Sequence, residues 1–366
     1  MKRVGIISYN IYCNFTNYGS ALQSWALYVS IKKLGFDVKL VDYCPDVLKD
    51  KNPLNPFKNS WDQSDEAKLM CELTMPSIKI NYEKFIDFYY KRFDVTSKYD
   101  SSNFNDSIKE VSSFVCGSDT IFCVDEFGID DGYYANYDCM KHNSISYAAS
   151  FGDSHFSDEQ FVILNDRLKN FNALGIREDQ FINYVKKQVD IPVKRVLDPT
   201  LLLEPHEYEP IIGKKQMQKN YILYYSRRYN KKMEDYVEKL SKKTNFKVVE
   251  ISLRASNAEK GHVMRYDAGV EEFLSLIKNA SFVVTNSFHG MIFAVQFKRP
   301  FVVFSREQCD NKIQELLDLF GLSDRLLING DESFKESIDF NLVHKRIDAK
   351  RKESIDFLKF ELEECL

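Results

Sequence analysis

Several signatures of familiar protein classes are missing from this chain of 366 residues. No apolar run approaches the ~18 residues that span a bilayer, and the first residues lack the apolar core and cleavage site of a secretory signal. The eight cysteines include no CxxC pair, and the six histidines form neither HxH nor HExxH. We therefore expect a cytoplasmic protein with reduced thiols, and neither a metal site nor a cofactor.

Neither sign of charge dominates. The 54 acidic and 50 basic residues leave a net charge of −4, which argues against a dedicated nucleic-acid-binding protein. The stretch 211–247 departs from this balance, with 11 Lys and Arg against 3 Asp and Glu. We interpret it as a solvated helical face. A phosphate-facing or membrane-surface patch is the alternative, so peripheral contact with the inner face of a membrane stays open.

What the chain does contain is an alternation of short β-rich runs and amphipathic helices, in two series. This pattern predicts an α/β protein with two Rossmann-like domains, and a ligand between them at the carboxyl ends of parallel strands. We place the first domain at 1–205, with a helical insertion at about 45–106, and the second at 206–345. Residues 346–366 are a last helix, for which packing back on the first domain is one option.

The strands are predicted from runs of β-branched and aromatic residues bounded by turn residues. They are Val4–Ser8, Val38–Val41, Ser113–Cys116, Ser144–Ala149, Ala173–Ile176, Val193–Leu197, Tyr221–Tyr225, Lys247–Ile251, Phe282–Thr285 and Phe301–Phe304. Within the insertion only Tyr82–Phe93 has a helical pattern, because prolines, the last of them Pro76, interrupt the remainder. Gly35 is expected to end the first helix as its C-terminal cap.

The most informative motif is Thr285–Gly290, which follows an apolar strand and opens a helix. Ser287 is a natural N-cap, and Gly290 allows close approach of the backbone. The free N–H groups of a helix start bind anions, and the imidazole of His289 can bind phosphate or transfer a proton. We therefore predict an anion site here. The alternative is that Ser287 only caps the helix and His289 packs inside it.

Two arginines lie just after predicted strands. Arg177 comes after Ala173–Ile176, and its planar guanidinium can hold a carboxylate or phosphate through two hydrogen bonds. The alternative for Arg177 is a local ion pair with Glu178 or Asp179 at a helix start. Arg227 lies in the basic stretch just after a strand of the second series, which makes it a candidate for binding an anionic substrate.

Two loops at strand ends carry further candidates. The first, Asn14–Gln23, lacks GxGxxG, so no dinucleotide-binding site is expected; Asn17 and Gly19 can instead contribute to a polar cradle for a sugar or phosphate. In the second, Ser118 and Asp119 follow a strand at the same edge of the predicted sheet. Asp119 can accept a hydrogen bond from a hydroxyl, and a capping role is the alternative.

Nine short segments, in the right order, resemble the polysaccharide pyruvyl transferase family over nearly the whole chain. They are Gly5–Ile7, Asn17–Leu27, Gly117–Asp119, Ile176–Glu178, Leu197–Leu202, Gly269–Leu274, Thr285–Gly290, Lys298–Phe301 and Gly321–Arg325. The resemblance implies a GT-B-like fold with two Rossmann-like domains facing each other across a cleft. It also implies a transferase that moves a pyruvyl group from phosphoenolpyruvate to sugar hydroxyls of a cell-surface polysaccharide or its lipid-linked precursor, forming a ketal.

The resemblance assigns the roles of two residues by matching position, and the other candidates come from the local sequence pattern. Arg177 and His289 match the donor-site arginine and histidine of the family, and Asp119 is the candidate general base on the acceptor. The substrate-binding candidates are Asn17, Gly19, Ser118, Ser287, Gly290 and Arg227. Phosphoenolpyruvate is then a co-substrate, and the partner is a glycan or a lipid-linked oligosaccharide.

Two other functions stay open on the sequence. One is a GT-B glycosyltransferase that uses a nucleotide sugar, and the other is a non-catalytic relative that binds glycans. In each case the aromatic side chains of the first loop, Tyr9, Tyr12, Phe15 and Tyr18, are candidates for stacking on sugar rings.

Overall fold

The computed structural model describes residues 3–9, 16–52, 54, 65–218, 220–306, 310–333 and 337–365. These residues form two compact units, one within Met1–Asp50, Phe88–Leu203 and Ile347–Leu366, the other within Lys51–Asp87 and Glu204–Arg346. Each unit contains a parallel sheet with helices, so the prediction of an α/β protein with two Rossmann-like domains is confirmed. None of the described helices has the length and apolarity needed to cross a membrane.

The helices are numbered in chain order. They are α1 (Tyr18–Lys33), α2 (Asp65–Arg92), α3 (Phe104–Ser107), α4 (Val124–Phe127), α5 (Asp158–Leu168), α6 (Asp179–Val185), α7 (Lys231–Thr244), α8 (Val270–Lys278), α9 (Phe288–Gln296), α10 (Asp310–Phe320) and α11 (Phe340–Cys365).

The sheet of the first unit has seven strands, all paired in parallel. They are β1 (Arg3–Ile7), β2 (Asp37–Cys44), β3 (Val95–Asp100), β4 (Ser113–Cys116), β5 (Ser144–Ala149), β6 (Ala173–Ile176) and β7 (Val193–Arg195). Their order is β3-β2-β1-β4-β5-β6-β7, and every residue of β4, β5 and β6 is buried, as expected for strands covered on both faces. The order reverses between β1 and β4, which is where such sheets usually bind ligands.

Helix α1 shows how local sequence sets the boundaries of an element. The Asn17 side chain accepts hydrogen bonds from the backbone N–H groups of Gly19, at 3.0 Å, and Ser20, at 3.4 Å, and so caps the helix start. Beyond the other end, Gly35 has φ +94° and its N–H donates to the Lys32 carbonyl. The predicted glycine cap is therefore confirmed, because a left-handed φ is costly for residues with a Cβ.

The sheet of the second unit has six parallel strands. They are β8 (Tyr221–Tyr225), β9 (Lys247–Ile251), β10 (Val263–Met264), β11 (Phe282–Thr285), β12 (Phe301–Phe304) and β13 (Leu326–Leu327). Their order is β10-β9-β8-β11-β12-β13, with its reversal between β8 and β11. Helix α7 buries Met233 and Val237 against this sheet, while its lysines Lys239, Lys242 and Lys243 are exposed, the arrangement of a solvated helical face.

The segment 45–106 differs from the sequence-based expectation. The prediction that only Tyr82–Phe93 is helical was wrong, because α2 is a single 28-residue helix with Pro76 in its interior. Proline removes one helix hydrogen bond, but contacts elsewhere along α2 hold it in place. Asn81 Nδ2 donates to the Ala268 carbonyl at 2.5 Å, and Lys84 pairs with Glu272 at 2.8 Å.

These contacts also explain the division of the chain. We expected 45–106 to be an insertion of the first domain, but residues 51–87 belong to the second unit. The strand β3, which the sequence pattern missed, belongs to the first unit as the outer partner of β2. Residues 347–365 of α11 also belong to the first unit, where Arg351 Nε donates to the Leu201 carbonyl at 2.7 Å.

Candidate functional site

Polar side chains follow four neighbouring strands of the first sheet, at the point where each strand ends. Because these strands are parallel, their carboxyl ends meet at one edge of the sheet. The residues there are buried and connected by hydrogen bonds. We call this group the first-sheet cluster; its members are Ser8, Ser20, Gln23, Ser118, Asp119, Ser150, Arg177, Glu178, Asp198 and Thr200.

The start of α1 supplies one side of the first-sheet cluster. Ser20 Oγ donates to Asp119 Oδ2 at 2.5 Å. Gln23 donates through Nε2 to Ser8 Oγ at 2.9 Å, and accepts through Oε1 from the Ser118 N–H at 3.2 Å. Sequence reasoning missed Gln23, although it lies in the segment Asn17–Leu27 that carries the resemblance. Asn17 and Gly19 form the cap of α1 described above. The part of the predicted polar cradle that these two residues contribute is therefore the start of a helix.

The turn after β4 depends on a glycine. Gly117 has φ +139°, and a Cβ there would lie 2.1 Å from the Tyr147 carbonyl oxygen, far inside a tolerable contact. The turn brings Asp119 into the cluster with φ +71°. One carboxylate oxygen of Asp119 accepts from Ser20, and the other accepts from the Thr120 N–H at 2.9 Å. Asp119 thus accepts hydrogen bonds from a side-chain hydroxyl and from the N–H of the residue that follows it.

Arg177 lies at the centre of the first-sheet cluster. Its Nε donates to Glu178 Oε1 at 3.0 Å and its Nη1 donates to Asp198 Oδ2 at 2.9 Å. The local pair with Glu178 is therefore formed, whereas Asp179 pairs with Arg195. Burial by itself lowers the pKa of Arg177, but the charges of neighbouring carboxylates outweigh it and the pKa is raised overall. The guanidinium therefore stays cationic inside the fold.

Glu178 has the least satisfied carboxylate of the cluster. Only 6% of its side chain is exposed. Oε1 accepts from Arg177 and from Ser150 Oγ, while Oε2 is buried with no hydrogen-bond partner among the described residues. Ser118 Oγ is likewise buried, and it has no hydrogen-bond partner among the residues that the structure describes. Unmet buried polar atoms are uncommon and often mark a place where a ligand binds.

In the second unit, Asn286 joins two strand ends. It follows β11, and its Oδ1 accepts from the Arg227 N–H at 2.8 Å while its Nδ2 donates to the Arg228 carbonyl at 2.7 Å. These bonds hold the loop after β8 beside the start of α9. Both arginine side chains are exposed there. Asn286 is a positioning residue that sequence reasoning passed over, although it lies in the motif Thr285–Gly290.

The start of α9 has the cap that the sequence predicted. Ser287 Oγ accepts from the Gly290 N–H at 3.2 Å, and the helix begins at Phe288, directly after this cap. A Cβ on Gly290 would lie 2.7 Å from Thr285 Oγ1, so the glycine lets α9 pack closely on β11. The first turn of α9 presents its N–H groups and the positive end of the helix dipole.

His289 lies in this first turn. The residue is 8% exposed, and its ring meets the Phe288 ring edge-on, with 5.2 Å between centroids. The packing alternative is thus partly realised, but the ring remains at the end of the helix where anions bind. Asn286 joins the backbone of Arg227 to the same strand end that precedes α9. Among the described residues no cluster of His, Cys, Asp or Glu could hold a metal ion.

The aromatic side chains proposed to stack on sugars are mostly buried. Tyr9 is 5% exposed and packs against Phe127, with 5.3 Å between ring centroids. Tyr18 is also buried, as the first residue of α1. These two rings therefore contribute mainly to the core of the first unit. Tyr12 and Phe15 lie outside the described residues.

The comparisons with known proteins agree with the sequence resemblance. The family model described as polysaccharide pyruvyl transferase matches residues 17–308, a span that includes Asp119, Arg177 and His289. A search of curated proteins gives no significant match to this sequence.

Solved structures resemble the chain in fold. A Listeria monocytogenes protein assigned as a UDP-N-acetylglucosamine 2-epimerase has a TM-score of 0.50 and 12% identity, over 98% of this chain and 90% of that chain. The UDP-GlcNAc 2-epimerase of Methanocaldococcus jannaschii has a TM-score of 0.49 and 11% identity, over 96% of this chain and 93% of that chain. At such identities the Listeria likeness shows the fold alone, which is GT-B-like, as predicted.

Proposed function

Since this chain belongs to the polysaccharide pyruvyl transferase family, we propose that it transfers a pyruvyl group from phosphoenolpyruvate to sugar hydroxyls. The acceptor is a cell-surface polysaccharide or its lipid-linked precursor, and the product is a ketal. The observation that carries the proposal is the pairing of Asn286 with the loop of Arg227 and Arg228, which sets two exposed cations beside the helix start at Ser287.

Phosphoenolpyruvate has a carboxylate and a phosphate on three carbons, so its site requires concentrated positive charge. A helix start offers N–H donors to one anion, and arginines offer paired donors to the other. In this proposal the start of α9 and Arg227 bind the donor. The family resemblance adds Arg177 to the donor-binding residues, and that assignment is part of the proposal.

His289 is the proton donor in this proposal. Protonation of C3 of the enol by an imidazolium leaves an oxocarbenium-like centre at C2, which a sugar oxygen attacks. The C2–O bond to phosphate then breaks with its electron pair going to phosphate, and a second hydroxyl of the sugar adds at C2. One hydroxyl proton balances the proton delivered to C3, and the other leaves with the phosphate. Ser118 and Asp119 are assigned to the acceptor.

The test is a transfer assay with the full chain. Protein is incubated with phosphoenolpyruvate and a panel of methyl hexopyranosides and lipid-linked oligosaccharides, and products are identified by mass spectrometry. We expect one pyruvyl ketal per modified sugar and an equal amount of inorganic phosphate. No ketal on any member of the panel, with the protein folded, contradicts the proposal.

A binding measurement separates the donor classes. A ligand that binds only the folded state raises the melting temperature. We expect phosphoenolpyruvate to stabilise the protein and UDP-sugars at the same concentration to have no effect. The reverse result would favour a glycosyltransferase that uses a nucleotide sugar, and stabilisation by glycans alone would favour a non-catalytic binding protein.

A further inference from the structure

The first-sheet cluster contains three carboxylates, those of Asp119, Glu178 and Asp198, and Arg177 lies among them. They differ in how many of their oxygens accept a hydrogen bond within the fold. In Asp119, Oδ2 accepts from Ser20 and Oδ1 accepts from the Thr120 N–H. In Asp198, Oδ2 accepts from Arg177, and Oδ1 accepts from the N–H and Oγ1 of Thr200 at 3.0 and 2.6 Å. Both oxygens of each aspartate are therefore engaged within the fold.

Glu178 is different because only one of its oxygens is engaged. Oε1 accepts from Arg177 Nε and Ser150 Oγ, whereas Oε2 is buried without a hydrogen-bond partner among the described residues. A buried acceptor that lacks a donor costs about 1–3 kcal/mol, so this oxygen lowers the stability of the fold. A hydroxyl group of a bound ligand is the natural donor for such an oxygen.

The two bonds to Oε1 also fix the carboxylate in one orientation. Ser150 is held in turn, since its N–H donates to the Asp119 carbonyl at 3.0 Å and its Oγ accepts from the Gly152 N–H at 3.1 Å. Arg177 is held by Asp198. A carboxylate oriented by two donors on one oxygen leaves its other oxygen ready to accept a proton, which is the arrangement required of a general base.

From this geometry we infer that Glu178, and not Asp119, is the group that takes the proton from the attacking hydroxyl of the acceptor. The inference rests on the proposed function. The O–H bond of the sugar breaks, its proton moves to Glu178 Oε2, and its oxygen forms the bond to C2 of the donor. The proton then passes from Glu178 to water, and His289 regains one from water, so that each turnover restores both groups. Besides the donor-binding role proposed for it above, Arg177 positions this carboxylate.

The experiment compares two isosteric variants in the full chain. Glu178→Gln keeps an acceptor for Arg177 and Ser150 but cannot take a proton. The control, Asp179→Asn, changes the neighbouring carboxylate, which pairs with Arg195 at the surface and lies outside the first-sheet cluster. Each is assayed with phosphoenolpyruvate and the acceptor that the wild type modifies, and each is melted to verify folding. We expect kcat of Glu178→Gln to fall about 100- to 1,000-fold with an unchanged KM for phosphoenolpyruvate. For Asp179→Asn we expect a kcat within about twofold of the wild type.

The pH profile separates proton transfer from support of the fold. In the wild type kcat should fall on the acidic side as one carboxyl group is protonated, and Glu178→Gln should lose this dependence. Glu178→Asp, which keeps a displaced carboxylate, should retain it with a lower kcat, and it serves as the measurement if the glutamine variant does not fold. Equal values of kcat in Glu178→Gln and Asp179→Asn, or an acidic limb that survives in Glu178→Gln, would overturn the inference while leaving the proposed function in place. A wild type that forms no ketal overturns both.

Discussion

Arg177 and Asp198 form a buried ion pair, with 2.9 Å between Nη1 and Oδ2, although they lie 21 positions apart in the chain. Asp198 begins the short turn Pro199–Leu201, and its other oxygen binds the N–H of Thr200 there. The pair thus connects the end of β6 to the segment that follows β7. Removing one partner of a buried pair leaves an uncompensated charge, which is far more costly than losing an exposed pair.

The first prediction concerns this pair. Asp198→Ala should lower the free energy of unfolding by about 3–5 kcal/mol, because it leaves Arg177 with one fewer carboxylate in the fold. Urea denaturation at neutral pH measures the change. The matched control is Asp179→Ala, whose pair with Arg195 is exposed at the surface and should cost less than about 1 kcal/mol. Similar losses of unfolding free energy in both variants would show that the buried pair stabilises the fold no more than the exposed pair does.

The second prediction concerns His289. If its imidazole protonates the donor, His289→Asn should lower kcat by about 100- to 10,000-fold with a small effect on the melting temperature. His206→Asn is the control, since that histidine is exposed and lies near an exposed carboxylate of Glu204. Steady-state kinetics with phosphoenolpyruvate and the modified acceptor give the comparison. A His289→Asn enzyme with wild-type kcat would remove this residue from the mechanism.

The third prediction concerns Asn286. Asn286→Ala removes both bonds to the loop after β8, so Arg227 and Arg228 should lose their fixed position beside α9. We expect KM for phosphoenolpyruvate to rise about 5- to 20-fold with kcat reduced much less, which corresponds to about 1–2 kcal/mol of lost binding. Asn279→Ala is the control, because within the described part of the chain that side chain donates to the Ser275 carbonyl at the end of α8, away from the loop after β8. A pure loss of kcat would contradict a binding role for the loop.

The fourth prediction concerns stability and pH. Burial raises the pKa of Asp42, in β2, to about 6, with Lys98 opposing the shift. Because the folded-state pKa lies above the unfolded value, this group weakens the fold increasingly as pH rises from about 4 to about 6, and fully above that. Asp42→Asn should therefore raise the free energy of unfolding by about 1–3 kcal/mol at pH 8, and the gain should shrink towards pH 4.

The control for this fourth prediction is Asp50→Asn, an exposed carboxyl in the same unit. Its free energy of unfolding should follow that of the wild type at both pH values. Denaturation curves at pH 8 and pH 4 suffice for all three proteins. A gain in the free energy of unfolding for Asp42→Asn that does not change with pH would mean that the two proteins differ in stability because of packing and not because of ionisation.

Much of the fold can be predicted from the sequence. The bounds of β4, β5, β6, β8, β9, β11 and β12 agree with the prediction residue for residue. These parallel strands are almost entirely buried, and short runs rich in β-branched and aromatic residues between turn residues favour strands. Pro76 misled the prediction for α2, because local propensity cannot show that contacts such as Lys84 with Glu272 hold a helix through a proline.

The site divides in the same way. The sequence by itself determined the residue types and their strand ends: Arg177 after β6, Asp119 after β4, and Ser287 as the cap of α9, since capping and strand ends follow from local pattern. Only the tertiary structure decided the partners. Ser20 meets Asp119 across 99 residues, and Glu178 has one oxygen engaged by Ser150, 28 residues away, and the other left over. Such relationships depend on which strands become neighbours, and strand order is settled by packing over the whole sheet.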